Sequence, residues 1–119
     1  MANAKVPSYI SSVFEEDCRE LKIPRDFIIE IFSYPAAHEF GDSGGFCKPI
    51  SVNGKKGVVI GFREESKGET LGNFSHEMKH AQHFFTGDCN SPVFDEPAAY
   101  FYEMKKSLEY KVKGVYKKN

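Results

Sequence analysis

The chain has 119 residues, enough for one domain with a single core and too few for a second lobe, and its charges nearly cancel at −1. That balance removes any global case for nucleic acid or an anionic membrane surface, and no stretch reads as a signal peptide or reaches the length of a membrane span. Eleven Phe and six Tyr supply apolar volume, while the three cysteines, Cys18, Cys47 and Cys89, form neither a disulfide framework nor a CxxC pair and suit a reducing cytoplasm.

In chain order, Ser11 or Ser12 can cap a short helix that runs through Leu21 and stops before Pro24, its charged residues toward solvent. Residues 26–33 are rich in β-branched and aromatic side chains and read as a strand. The glycine-rich stretch 41–45 is a turn rather than a phosphate loop, because no Gly-Lys-Ser/Thr follows it. Two apolar runs, 46–52 and 57–63, flank Asn53-Gly54, a pair that accepts positive φ at both turn positions and so predicts an antiparallel hairpin. Residues 58–62, or their hairpin partner, are expected at the sheet edge, where an extended peptide can add a strand.

Next comes an amphipathic helix. Leu71, Phe74, Met78, Ala81 and Phe85 recur at spacings of 3, 4, 3 and 4 and form one apolar stripe. Thr70 or Ser66 can cap its start, and Gly87 ends it. His76, His80 and His83 fall nearly opposite the stripe, with Glu77 between the two faces. His76-Glu77-Met78-Lys79-His80 spells HExxH. Histidines at i and i+4 lie on one helical face and can share a divalent metal, and the glutamate beside the first can take a proton from a water there. His83 stands about 10 Å along the axis from His76, too far for the same ion. It is expected to be solvated or to support the site from outside.

A zinc site needs a third protein ligand. Glu96 is the first candidate, with Asp95 and Glu103 in reserve. Asp95 can cap a helix over about 96–112 whose first turn holds Pro97, after a loop over 87–94. Phe94, Ala98, Phe101, Leu108 and Val112 predict its buried stripe; Glu96, Tyr100 and Glu103 share another face. Lys105, Lys106, Lys111, Lys113, Lys117 and Lys118 read as a solvated helix end, a favoured place for lysine, with Tyr110 and Tyr116 among them.

The pair His76-Glu77-x-x-His80, followed by Glu96-Pro97-Ala98-Ala99 at the start of the next helix, resembles the gluzincin branch of the zincin metallopeptidases, in size its minimal members. The resemblance covers about 58–103. Metzincins are excluded, because positions 83 and 86 are His and Thr rather than the glycine and third histidine that they need. What the resemblance implies is a small α+β zincin-like domain: an N-terminal helix, a short antiparallel sheet, the HExxH helix and a C-terminal helix. It also implies Zn²⁺ on His76, His80 and Glu96, and peptide-bond hydrolysis with Glu77 as general base. Tyr100, one turn beyond Glu96, is the first choice to stabilise the oxyanion, with His38 and Tyr102 behind it. The expected partner is a peptide or protein substrate. The alternative expectation is a latent or weakly active zinc-binding module, in which a cysteine can take the fourth position on the metal.

Overall fold

A computed structural model describes residues 8–35, 44–87 and 92–113. The order of elements is α1 (Ile10–Leu21), a short 3₁₀ turn (Arg25–Phe27), β1 (Ile28–Pro35), β2 (Gly45–Val52), β3 (Lys55–Glu64), α2 (Lys67–Thr86) and α3 (Pro92–Lys113). The fold is α+β, with three helices and one three-stranded sheet among the described residues. None of these helices is long and apolar enough to cross a membrane.

The hairpin forms where Asn53-Gly54 predicts it. Both turn residues have positive φ (54° and 80°), and β2 pairs antiparallel with β3 from Gly45↔Phe62 to Val52↔Lys55. β1 then adds to the other side of β3 in parallel, so the sheet is mixed, with order β1-β3-β2. Of the two strands expected at the sheet edge, Val58–Phe62 lies in the central strand and its hairpin partner β2 lies at one edge, with β1 at the other. Pro49 sits within β2, and a residue without an N–H is at home in an edge strand.

One face of the sheet makes the core. Val58, Ile60 and Phe62 alternate inward from β3 and meet Leu71, Phe74, Met78 and Ala81 of the predicted stripe of α2, whereas its fifth member, Phe85, is 42% exposed. Phe62 and Phe74 meet edge to face at 5.4 Å. α1 contributes Ile10, Val13, Phe14, Cys18 and Leu21 to the same cluster. Ser11 and Ser12 lie inside α1 rather than capping it, since Tyr9 holds the cap position without a side-chain bond. α1 also buries a charge that was expected in solvent, Asp17.

α2 starts at a Ser66 cap. Ser66 Oγ accepts from the Glu69 backbone N–H at 3.4 Å and donates to the Glu69 carboxylate at 3.0 Å. Gly87 closes the helix in the left-handed conformation. α3 departs further from expectation. It begins at Pro92, which takes the first-turn place assigned to Pro97, so Pro97 and Asp95 lie inside the helix. Its buried residues are Ala99, Tyr102 and Lys106, whereas Phe101 and Leu108 of the predicted stripe are 70% and 64% exposed. The side chains of Phe94, Asp95 and Val112 lie outside the described residues, as do His38, Cys89 and the lysines from Lys111 onward.

Candidate metal centre

The registration of α2 against α3 assembles the site. His76 and His80 lie one turn apart on α2, and Glu96 reaches them from α3. Their ligand atoms all fall within 4.8 Å of one another. His76 Nε2 is 3.1 Å from Glu96 Oε1, and His80 Nε2 is 3.3 Å from Glu96 Oε2. A tetrahedral zinc ion with bonds of about 2.0–2.1 Å holds neighbouring ligand atoms about 3.3 Å apart, so these separations fit one ion. His76 is buried and His80 partly buried, while the Glu96 side chain is 48% exposed and leaves the group reachable from solvent.

Glu103 comes in two turns further along α3, but on the opposite nitrogen. Its Oε1 is 2.8 Å from His76 Nδ1. Of the two reserve candidates, Glu103 therefore meets a histidine rather than the space between His76, His80 and Glu96, and an Nδ1–H donated to it would leave the Nε2 lone pair facing Glu96. The Asp95 side chain lies outside the described residues. His76 thus meets a carboxylate at both ring nitrogens, although a neutral imidazole carries only one N–H. The second contact calls for another positive charge, either a proton or a metal ion.

Glu77 is buried beside this group. β2 approaches it closely at Gly45, where an added Cβ would stand 3.0 Å from Glu77 Cγ and 2.6 Å from the Gly61 carbonyl. Burial foremost, then the charges of Glu96 and Glu103, push the Glu77 carboxyl up to about 8 against the lowering effect of His76. A divalent cation among the same residues would draw it back down. At His76, burial lowers the pKa, but the Glu103 hydrogen bond and the charges of Glu77, Glu103 and Glu96 outweigh it and the net shift is upward. His80 moves downward, chiefly by burial.

Tyr100 lies at the site. Its ring meets His76 edge to face at 4.7 Å, and it lines a cavity of about 140 Å³ together with Gly44, Arg63, Asn73, His76, Glu77 and Glu103. Tyr102, the reserve oxyanion donor, does not: it is buried on another face of α3 and its hydroxyl donates to Asp17 at 2.9 Å. His83 is outside the ligand group, its ring 6.5 Å from that of His80. Neither Cys18 nor Cys47 belongs to the group of His76, His80 and Glu96. Arg63 and Asn73 escaped the sequence reading. Asn73 precedes Glu77 by one turn, a spacing that places both on one face, and its carboxamide donates to the Arg63 carbonyl at 3.1 Å. Nothing in the local sequence marks Arg63.

The chain matches no protein-family model, and comparison with curated proteins and with solved structures finds no match either.

Proposed function

We propose that this chain is a zinc-dependent peptidase of the gluzincin type, with His76, His80 and Glu96 as metal ligands and Glu77 as general base. One observation carries the reading: the two HExxH histidines and a glutamate from the next helix converge at separations suited to one tetrahedral ion, with Glu103 holding His76 from behind. A zinc ion bound there would supply Lewis acidity toward a water and a substrate carbonyl. Glu77 takes the proton from the attacking water and returns it to the leaving nitrogen. Tyr100 is the candidate donor to the developing oxyanion, being solvent-accessible and against His76. β2, as the edge strand, is the candidate surface for an extended substrate.

Elemental analysis of protein purified without a metal-binding tag tests the ligand set. We expect one zinc per chain in the wild type and a loss of zinc in Glu96→Ala. Normal retention in Glu96→Ala would remove Glu96 from the set. A chain that stays metal-free after zinc is added back and the excess removed would end the metal reading altogether.

A second reading, a zinc-holding binding module with little or no turnover, is favoured by a separate feature. Phe101, Met104 and Leu108 form an exposed apolar stripe on α3 at spacings of 3 and 4, and such a stripe is a common mark of a contact surface. Purified protein that holds one zinc but cleaves no peptide under any condition would favour this second reading.

A further inference from the structure

Two consecutive glycines lead into β2, and the backbone itself calls for neither. Gly44 and Gly45 are not among the residues with positive φ, so other residue types could adopt their conformation. What calls for glycine is closeness. A Cβ on Gly44 would stand 2.5 Å from Asn73 Oδ1. One on Gly45 would stand 2.6 Å from the Gly61 carbonyl, 3.0 Å from Glu77 Cγ and 3.2 Å from Glu77 Oε2. Asn73 and Glu77 lie one turn apart on a single face of α2. The strand therefore meets α2 at its glycine pair, with Gly44 seated on Asn73 and Gly45 on Glu77.

Asn73 does more than touch the strand. Its carboxamide N–H donates to the Arg63 carbonyl at 3.1 Å, and the Arg63 backbone N–H donates to the Gly44 carbonyl at 2.8 Å. That second bond continues the hairpin ladder one residue beyond the pair Gly45↔Phe62. The path from Asn73 to Arg63 to Gly44 ties this end of the hairpin to the helix, and Gly44 closes it by lying against the same carboxamide. All three residues also line the cavity of about 140 Å³ that holds Glu77 and His76.

We propose that Asn73 is a positioning residue for Glu77. By holding Arg63, and Gly44 through it, Asn73 fixes the height of the strand above α2, so that Gly45 packs the Glu77 side chain into one place in the cavity. The service to a general base rests on the peptidase reading; the tie between helix and hairpin does not. A carboxylate without that wall could leave its working position while the histidines and Glu96 stay where they are. The loss would then fall on turnover and not on zinc or substrate binding.

Asn73→Ala and Gly44→Ala disturb the same contact from its two sides. In the zinc-loaded protein each should lower kcat by about tenfold or more, with KM changed by less than about twofold and one zinc per chain retained. Asn73→Ala also makes room for a methyl group on residue 44, so the two losses should combine to less than their product in the double variant. A lower urea midpoint with kcat of the folded protein intact would mark Asn73 as a stabilising contact only and overturn the proposal. The tie is read without turnover by amide hydrogen exchange. In Asn73→Ala, the exchange rate of Arg63 relative to that of Ile60, in the middle of β3, should rise by about fivefold or more. That rise, with no cleavage by any variant, would support the positioning of the strand over Glu77 and sink the peptidase reading alone. Cleavage by Asn73→Ala at the wild-type kcat, with an unchanged exchange ratio, would overturn the proposal and leave the peptidase reading standing.

Discussion

Two polar clusters hold α3, one against α1 and α2 and one against α2 alone, and they balance their charges in different ways. In the first, Lys106 of α3 is fully buried with its ammonium among four carboxylates: Glu20 at 2.9 Å, Glu109 at 3.3 Å, Glu16 at 3.4 Å and Asp17 at 3.5 Å. Asp17 also accepts from Ser75 of α2 at 2.8 Å and from Tyr102 of α3 at 2.9 Å. In the second cluster, one position along α2 from Ser75, His76 meets Glu96 and Glu103 with Glu77 and His80 alongside. Glu16, Glu20 and Glu109 are also spaced as metal ligands, but there a tethered cation already sits among them. In the second cluster the carboxylates of Glu96 and Glu103 pair with the imidazoles of His76 and His80, and Arg63 lines the same cavity as His76 and Glu103. Under the proposed function, the first cluster carries its counter-charge within the chain, and the second would take its own from a zinc ion.

The largest expected effect breaks the second cluster at its chemistry. Glu77→Gln keeps the shape and the zinc but removes the base, so hydrolysis should fall by about 10²–10⁴-fold with zinc per chain unchanged. Activity that survives this substitution would contradict the assigned mechanism, whatever the metal content.

The counterpart in the first cluster is Lys106→Met. Methionine fills similar space without the charge; Glu20 and Glu109 keep Lys105, but the fully buried Asp17 loses the cation beside it. Removing one partner of a buried pair costs about 3–5 kcal/mol. Urea denaturation should show that loss, while the zinc ligands themselves are untouched. A loss below about 1 kcal/mol would mean that the cluster is solvated and does not hold α3 in place.

This buried lysine also explains what the sequence reading missed. The HExxH spacing, the Asn53-Gly54 hairpin, the cap at Ser66 and four of the five stripe residues, Leu71, Phe74, Met78 and Ala81, are local patterns, and local geometry realises each of them. α3 obeys no such rule. Its apolar residues Phe101 and Leu108 turn outward because Ala99, Tyr102 and Lys106 meet α1 and α2, and the partners of Lys106 and Tyr102 stand some 85 residues away. Helical periodicity carries no information about carboxylates so distant. The same rotation turns Glu96 toward His76 and His80, and Glu103 toward the rear of His76. A candidate ligand pair was thus legible from five residues, whereas the ring nitrogen of His76 that Glu96 and Glu103 each meet depends on the packing of α3. β1 was legible as a strand, but its parallel pairing with β3 is non-local in the same way.

Acidity offers a smaller and more diagnostic test of the contrast. Burial pushes the Asp17 carboxyl up to about 6, against the lowering effects of Lys106, Ser75 and Tyr102. An acid whose folded-state pKa exceeds its unfolded value binds its proton more tightly when folded. Its contribution to stability is complete below the unfolded value, about 4, and is lost as pH rises through about 6. Two units correspond to roughly 3 kcal/mol at most. Glu20 and Glu109 are shifted downward, with burial opposing and Lys105 and Lys106 lowering them, so they act in the opposite sense at more acid pH. The difference in unfolding free energy, wild type minus Asp17→Asn, should therefore decline between about pH 4 and pH 6. A flat difference across that window would show Asp17 to be as well solvated folded as unfolded.

The smallest effect concerns Glu103, and it separates a ligand from a residue that aims one. If Glu103 only accepts the Nδ1–H of His76, then Glu103→Ala should keep one zinc per chain at saturation and weaken its affinity by about 10–100-fold. Glu103→Gln should recover part of that loss, because its amide oxygen still accepts the same proton, though without the charge. Competition with a chelator of known affinity measures both variants on one scale. Were Glu103 instead a direct ligand, the carboxamide would substitute poorly and Gln would resemble Ala. The order wild type, Gln, Ala is therefore the signature of a carboxylate that holds the histidine rather than the ion. It is the role Asp17 fills toward Ser75 in the neighbouring cluster, with the cation there supplied by the chain itself.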